Sequence, residues 1–393
     1  MDDKIKAIIS VGGKWHAFDL AEQLEKRGLL KRLITSYPKF KTREYNIPDI
    51  KVKSIVIKEI LTRAYGRLPL YIRNIFDPQF FIHNTYDKIV ALCLVNDANL
   101  IITWSSYGLY TMRKAKKMGM LTILEHGSSH IIYQNEILKQ EYARWGIHGE
   151  LAHPKIIKKE LKEYDESNYI AIPSLFVKRT FLEQGIPETK LLHIPYGINL
   201  SNFKPIQKID SIFRIVSVGN LTLRKGFHYL LQAFFELNLE NSELALYGPI
   251  SKEIEPFLKK YYKKNLIISQ VPHKELYKYY SQGSIFVLAS IEEGLARVLF
   301  EAMACGLPII ATTNTGGQDI IENDKEGYII PICDIDAIKE KIIYLYKNQE
   351  ISSEMGQRAR RKVLSEYSLE NYGDKITEVY QSIFKLKNSK DHE

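Results

Sequence analysis

The chain alternates short apolar runs with polar segments that have helical periodicity. This pattern predicts strand, turn and helix in repeating order, which is typical of an α/β protein with parallel sheets. In the first half, four buried strands are predicted in KAIISVGG, ANLIITW, MLTILEH and SNYIAIPS. In the second half, five more are predicted in FRIVSVGN, SELALYGP, NLIISQV, SIFVLAS and LPIIATT. Amphipathic segments such as HAFDLAEQLEKRGL separate the strands.

The two series of strands are joined by LLHIPYGINLSNFKPIQKIDS, which is rich in Pro, Gly and polar residues and has no helical period. A linker is therefore predicted near residues 200–211. Two series predict two Rossmann-like domains that face a central cleft, with ligands at the carboxyl ends of the strands. We predict domain bounds of 1–206 and 207–370, followed by a C-terminal helix over 371–393.

Composition supports a globular protein of two or three domains. The chain has 393 residues, of which 45% are hydrophobic and 26% charged. No apolar run approaches the roughly 18 to 20 residues that span a bilayer. The start, MDDKIKAIISVGG, carries acids where a signal peptide carries bases, so we expect a cytoplasmic protein. Three scattered cysteines, Cys93, Cys305 and Cys333, predict reduced thiols.

The net charge of +9 is concentrated between Lys39 and Arg73. That segment contains the bases Lys39, Lys41, Arg43, Lys51, Lys53, Lys58, Arg63, Arg67 and Arg73, against the acids Glu44, Asp49 and Glu59. Because these bases alternate with apolar residues, they fit a surface that meets anionic lipid or an anionic acceptor. A solvated positive face is the alternative. Nucleic acid is not expected, since no recognition helix or RNA-binding motif is present.

Two loops that follow strands carry candidate anion-binding groups. Gly12 and Gly13 lie between a strand and a helix, where glycine lets backbone amides approach a bound group; a tight turn alone also needs glycine. Arg224 and Lys225 lie between a strand and a helix in SVGNLTLRKGFHYLLQAF. Their charges predict a diphosphate site in the cleft, and a solvated loop is the alternative.

A third constellation lies in EEGLARVLFEAMACGLPIIATTNTGG. If a helix begins around Ala296 to Val298, its N-terminal amides suit a phosphate. A carboxylate accepts two hydroxyl hydrogen bonds, so Glu301 is predicted to hold a ribose and Glu293 a second polyol such as a sugar. Acids near a helix N-terminus also interact favourably with the helix dipole. This alternative leaves the Glu-x7-Glu spacing unexplained.

The run EEGLARVLFEAMACGLPIIATTNTGGQDIIENDKEGYIIP resembles the donor-binding region of family-4 glycosyltransferases, which have the GT-B fold and this Glu-x7-Glu motif. The similarity continues through VGNLTLRKG, HKELYKYYSQGSIFVLAS, IPYGINLSNFKP and PSLFVKRTFLEQGIP. It covers roughly the second half of the chain. The first half matches only at GGKWHAFDLAEQLEKRG and around ILEHGSSH, as expected of an acceptor domain.

The resemblance implies a role for each candidate residue. Glu301 would contact the ribose, and Glu293 the hydroxyls of the donor sugar. The diphosphate would be held by Arg224, Lys225 and the backbone amides near Val298 and Leu299. Val271 and Pro272 would meet the base. His126 is similar to the family's active-site histidine beside the sugar, and His130 competes for that role.

This chain departs from the family pattern at two places. Asn220 stands where members often have Arg, so the diphosphate charge would rest on Arg224 and Lys225. EGLARV replaces the usual EGFGLV, which puts Leu295, Ala296 and Arg297 beside the sugar.

A separate motif, Asp334-Ile335-Asp336, matches the Asp-x-Asp metal site of another glycosyltransferase fold. It directly precedes the helical AIKEKIIYLY, so we predict a helix N-cap and expect neither a catalytic metal nor a cofactor.

The resemblance implies a GT-B enzyme whose C-terminal helix packs back on the first domain. It implies a retaining, hexosyltransferase-type glycosyltransferase that moves a sugar from a nucleoside diphosphate sugar to a glycan or lipid-linked acceptor, in cell-surface polysaccharide or glycolipid synthesis. A lipid-linked acceptor would place the protein on the inner face of the membrane. The alternatives are a nucleotide-sugar epimerase or hydrolase on the same fold, and a non-catalytic nucleotide-sugar binding module.

Overall fold

The computed structural model describes residues 4–69, 78–261 and 263–390, and it contains two parallel β-sheets. Six of the thirteen described strands, among them AIISV and FRIVSV, are buried along their whole length. Such strands are typical of parallel sheets that are covered by helices on both faces.

The first sheet contains seven strands: β1 Ala7–Val11, β2 Leu30–Thr35, β3 Val52–Ser54, β4 Leu100–Trp104, β5 Leu121–Glu125, β6 Tyr169–Ile172 and β7 Leu191–His193. Their order across the sheet is β3-β2-β1-β4-β5-β6-β7. The order reverses between β1 and β4, where doubly wound sheets open a crevice for ligands. The register pairs Trp104 at the end of β4 with Glu125 at the end of β5.

Eight described helices accompany this sheet: α1 Ala17–Lys26, α2 Lys39–Thr42, α3 Ile57–Gly66, α4 Gln79–Cys93, α5 Leu109–Lys117, α6 Ile131–Trp145, α7 Pro154–Glu166 and α8 Leu175–Glu183. Helix α6 belongs to both halves of the molecule. It begins at the cleft, and Leu138 and Tyr142 in its later turns are part of the core of the second domain.

The second sheet contains six strands: β8 Phe213–Val218, β9 Ser242–Tyr247, β10 Leu266–Ser269, β11 Ile285–Leu288, β12 Ile309–Thr312 and β13 Gly327–Ile330. Their order is β10-β9-β8-β11-β12-β13. The accompanying helices are α9 Phe227–Leu237, α10 Glu255–Lys260, α11 Leu276–Tyr280, α12 Arg297–Ala304, α13 Ile335–Lys347 and α14 Gln349–Glu366.

The last helix, α15 Leu369–Lys390, returns to the first domain. Tyr372, Ile376, Tyr380 and Ile383 recur at helical spacing, and all four are buried in the core that includes β1 and α1. At the edge of this contact, the Arg27 guanidinium lies 2.9 Å from Glu370 and 2.7 Å from Asp374. Two Rossmann-like domains with a C-terminal helix that packs back on the first confirm the predicted fold class.

Two local predictions can be compared with the structure. The Asp334 carboxylate accepts a hydrogen bond of 2.8 Å from the Ala337 amide at the start of α13, which confirms the N-cap. In the basic segment, ion pairs join Lys41 to Glu44, Arg43 to Asp49, Lys51 to Glu25 and Lys58 to Glu59. Part of the predicted positive surface is therefore neutralised by acids, and Arg73 lies outside the described residues.

None of the helices in the part of the chain that the structure describes combines the length and the apolar character needed to cross a membrane.

Candidate active site

The carboxyl edges of the two sheets meet in the cleft. A Cβ atom added to Gly294, in the loop after β11, would lie only 1.9 Å from the carbonyl oxygen of Gly127, in the loop after β5. Glycine is therefore required for this close approach. The Ser174 hydroxyl, at the N-cap of α8, donates a 2.7 Å hydrogen bond to the Gly294 carbonyl oxygen.

Glu292 is fully buried and connects the two domains. Its carboxylate accepts hydrogen bonds from the amide of Ser129 at 2.9 Å, the hydroxyl of Ser129 at 2.7 Å and the side chain of Gln134 at 3.0 Å. Arg224 completes the set, with Nε 2.7 Å from Oε2. Burial raises the pKa of Glu292, but Arg224 and Ser129 outweigh it and hold the pKa below its ordinary value.

Glu293 forms an ion pair with Lys225 from the loop after β8. Burial and the neighbouring Arg224 lower the pKa of Lys225, while Glu292 opposes them. Two bases from one loop thus face two acids from another. The predicted charges at Arg224, Lys225 and Glu293 are brought together.

Glu301 lies in α12 and is buried. It accepts hydrogen bonds from His273 Nε2 at 2.8 Å and from the Tyr280 hydroxyl at 3.0 Å. The hydrogen bond to Glu301 raises the pKa of His273, although burial opposes it. The carboxylate is therefore fixed in position with part of its acceptor capacity already used.

Helix α12 starts within the predicted range, with Ala296 at its N-cap. The Leu299 amide donates to the Ala296 carbonyl oxygen at 3.0 Å, whereas the Val298 amide has no acceptor among the described residues. Arg297 reaches across the cleft, where Nη1 lies 3.1 Å from Oδ2 of the buried Asp19.

Two cavities open on either side of the Trp15 and Arg297 side chains, which line both of them. The polar cavity, of about 560 Å³, is bounded by Glu301, His273 and Lys274 from the second domain and by Asp19 from the first. The predicted residues Val271 and Pro272 directly precede His273 in the chain.

The aromatic cavity, of about 460 Å³, lies in the first domain beside Leu295. It is lined by the aromatic side chains of Trp15, Trp104, Tyr107 and Tyr196, together with His16, His83 and small polar residues.

Gly12 and Gly13 support this cavity. A Cβ atom at Gly12 would lie 2.4 Å from the ring of Tyr107, and one at Gly13 would lie 3.0 Å from the ring of Trp15. The structure thus gives the glycine pair a packing role, and contact with a phosphate stays a prediction.

The two candidate histidines, His126 and His130, are buried and do not line either cavity. Both rings pack against Tyr164 and Phe181. His126 Nε2 lies 3.0 Å from the Ser129 carbonyl oxygen, and the His130 side chain caps α6 by accepting from the Ile132 amide. The role of His126 or His130 beside the sugar stays a prediction.

Burial and the neighbouring His126 lower the pKa of His130 to about 4. Because an ordinary histidine titrates near pH 6.5, the unfolded chain takes up this proton first as the pH falls. His130 therefore contributes stability that is present above pH 6.5 and is lost between pH 6.5 and 4, by about 3 kcal/mol. His130→Asn keeps a capping side chain and is expected to reduce this loss, as measured by urea unfolding at several pH values.

The matched control is His153→Asn, the same exchange at the N-cap of α7, where the histidine is only half-buried. It reports the effect of the cap exchange alone. If the free energy of unfolding of His130→Asn depended on pH as that of the native protein does, His130 would not be the group responsible for the loss of stability.

Sequence reasoning missed several residues that shape the cleft. Glu292 was not singled out, although an acid in the loop that follows a buried strand is a signal for a site. The partners of Glu301 and the Asp19–Arg297 pair were also missed. A further missed pair is His16 and Glu125, whose Nε2 and Oε2 atoms lie 3.1 Å apart.

Within the described residues, no three His, Cys, Asp or Glu side chains cluster as ligands of a metal ion would. The expectation that no metal takes part stays a prediction.

Comparisons with known proteins agree with this architecture. The structure of sucrose-phosphate synthase from Thermosynechococcus elongatus matches with a TM-score of 0.72 at 19% identity, over 97% of this chain and 100% of that one. Anabaena HepE, solved in complex with UDP and glucose, matches with a TM-score of 0.69 at 12% identity, over 96% and 100%. The fold is GT-B.

Sequence comparisons give a family model and several curated relatives. Residues 201–362 match the family model "Glycosyl transferases group 1". The putative colanic acid biosynthesis glycosyltransferase WcaL of Escherichia coli is 22% identical over 216 residues, which are 51% of this chain and 53% of that protein. Spore coat protein SA of Bacillus subtilis is 31% identical over 183 residues, or 42% and 48%. The chain spans about half the length of these relatives.

Proposed function

We propose that the protein is a retaining, hexosyltransferase-type glycosyltransferase that moves a sugar from a nucleoside diphosphate sugar to a glycan or lipid-linked acceptor. The observation that carries this proposal is the arrangement around α12. Glu293 precedes the helix, Glu301 lies within it, and Arg224 and Lys225 approach from the neighbouring loop. One cleft therefore contains both carboxylates that can bind hydroxyl groups and bases that can bind a diphosphate.

The polar cavity would hold the nucleoside, with Glu301 on the ribose and the 271–272 loop near the base. The diphosphate would bind Arg224, Lys225 and the start of α12, and Glu293 would contact the sugar. When the bond between the anomeric carbon and the diphosphate breaks, the leaving group takes the electron pair, and the two bases stabilise its charge. The acceptor hydroxyl would attack from the same face and give its proton to the departing phosphate. Closure of the domains would exclude water.

The names of several relatives support a role in polysaccharide synthesis. WcaL of Escherichia coli is named for colanic acid biosynthesis, CapM of Staphylococcus aureus for capsular polysaccharide biosynthesis, and HepE was solved with UDP-glucose. We therefore propose synthesis of a cell-surface polysaccharide or glycolipid, with a cytoplasmic site at the inner face of the membrane.

A thermal-shift screen against UDP, GDP, ADP, TDP and CMP tests the donor class. A ligand at about 100 times its dissociation constant adds about 2.7 kcal/mol to the free energy of unfolding. We expect one nucleoside diphosphate to raise the melting temperature in the native protein and not in Lys225→Ala. No shift with any nucleotide would count against the proposal.

A second measurement separates the transferase from its alternatives. Product analysis with sugar donors of the nucleoside diphosphate so identified should show transfer only when an acceptor glycan is present. Consumption of the donor without an acceptor would indicate an epimerase or a hydrolase, and stabilisation without any turnover would indicate a binding module. The anomeric configuration of the product, read by NMR, tests retention.

A further inference from the structure

The aromatic cavity has the chemistry of a small-molecule site. Trp104, Tyr107 and Tyr196 are buried in its walls, while Trp15 is 51% exposed at the cleft. Its volume of about 460 Å³ and its lining of aromatic side chains with a few polar groups are typical of ligand pockets. Aromatic faces suit a sugar ring, because the C–H faces of the ring are apolar and its hydroxyls point outward from the edge.

Two residues of this cavity have an unusual backbone conformation. Trp15 has φ of 35° and Ser106 has φ of 70°, in the left-handed region that bulky residues rarely adopt. Such a conformation costs on the order of 1–3 kcal/mol and persists only when the surroundings hold it. Ser106 is held by Glu163, which accepts from its amide at 2.7 Å, and by Glu160, which accepts from its hydroxyl.

One wall of the cavity offers a fixed hydrogen-bonding group. The His16 ring packs against Tyr196 and Trp104, and its Nε2 atom is 3.1 Å from Glu125. With Nε2 on the carboxylate, the other ring nitrogen, Nδ1, is left to form a hydrogen bond with a ligand hydroxyl, which can both donate and accept. Nδ1 has no hydrogen-bond partner in the described part of the chain. It is also not one of the fully buried, unpaired polar atoms of that part, so a ligand hydroxyl can reach it.

The charges around the cavity disfavour an anionic ligand. Among the described lining residues, only Arg297 carries a permanent positive charge, and Asp19 already pairs with it. The Glu125 carboxylate lies directly behind His16. Burial lowers the pKa of His83 to about 3, so this histidine is neutral near pH 7.

We propose that the aromatic cavity binds an uncharged sugar ring, the terminal residue of the acceptor, by stacking on Trp15 and by a hydrogen bond to His16. This inference rests on the proposed function and narrows its acceptor to a neutral carbohydrate. His16 acts here as a positioning residue that orients the acceptor hydroxyl.

Intrinsic fluorescence tests the proposal directly, because two of the three tryptophans, Trp15 and Trp104, line the cavity. The third, Trp145, packs against His228 and Phe257 in the second domain. The probes are the methyl glycosides of glucose, galactose, mannose and N-acetylglucosamine, titrated to about 50 mM, well above the millimolar range in which weak ligands bind. Methyl glucuronide is the charged comparison.

We expect at least one neutral glycoside to give a saturable change in emission that survives in Trp145→Phe. Trp15→Ala, an exposed position at which the fold should tolerate the change, is expected to weaken binding at least about tenfold. His16→Gln should weaken it as well and raise KM for the acceptor while KM for the donor stays unchanged.

Three results would overturn the proposal: no response to any neutral glycoside, an equal response in Trp15→Ala, or equal binding of methyl glucuronide. The nucleotide thermal shift, run on the same variants, separates the two ideas. If a nucleotide still raises the melting temperature but no glycoside binds, only the proposal for the aromatic cavity is refuted. If a glycoside binds but no nucleotide does, the proposed glycosyltransferase function is refuted.

Discussion

Replacing Glu141 with alanine is expected to lower the free energy of unfolding by about 3 to 5 kcal/mol, because three hydrogen-bond donors each lose their acceptor at about 1 to 3 kcal/mol. Glu141 lies on α6, yet its carboxylate is buried against the second domain. It accepts hydrogen bonds from His228 at 2.8 Å, from the Tyr229 hydroxyl at 2.8 Å and from Trp145 at 2.7 Å. The alanine variant leaves these buried donors without a partner.

Urea unfolding measures the effect, and the midpoint should fall by about 1 M or more. Glu136→Ala is the matched control, because it removes the same side chain from an exposed position on the same helix. Glu141→Gln keeps an acceptor oxygen and should lose less stability than Glu141→Ala. Equal midpoints for Glu141→Ala and Glu136→Ala would show that this contact does not hold the domains together.

The second large effect concerns turnover. Lys225→Ala and Arg224→Ala are each expected to lower kcat/KM by about 100- to 1,000-fold, the loss typical of removing one group that stabilises charge in the transition state. In the proposed reaction, both bases face the departing diphosphate. Initial rates with the sugar donor that supports transfer in the product analysis provide the measurement.

Lys264→Ala removes an exposed base from the same domain and should leave the rate unchanged. Because Arg224 also pairs with Glu292, circular dichroism must show that Arg224→Ala remains folded. A loss below about threefold in Lys225→Ala would contradict the role of this lysine.

The main architecture was predictable because parallel strands buried on both faces are continuous apolar runs. The nine strands predicted from such runs all occur, as β1, β4, β5, β6 and β8 to β12. Strand β2 was missed because LKRLIT places two bases among its apolar residues. Strands β3 and β7 have only three residues each, which is too short for a periodic signal.

The site was predictable where neighbouring chain segments carry it. Glu293, Glu301 and the start of α12 lie within nine residues of sequence, and Arg224 and Lys225 lie in the loop that follows a strand. The His16–Glu125 pair could not be predicted, because its members are far apart in sequence and only the order of the strands brings them together. The same holds for Asp19 and Arg297, which meet only when the two domains face each other.

The return of α15 to the first domain has a consequence for synthesis of the chain. Domains generally fold in order as they leave the ribosome, from the N-terminus onward. Here the core around β1 and α1 includes Tyr372, Ile376, Tyr380 and Ile383, which are translated only after the whole second sheet. The first domain to be made is therefore the last to be completed, and until α15 arrives it exposes the apolar groove that this helix fills.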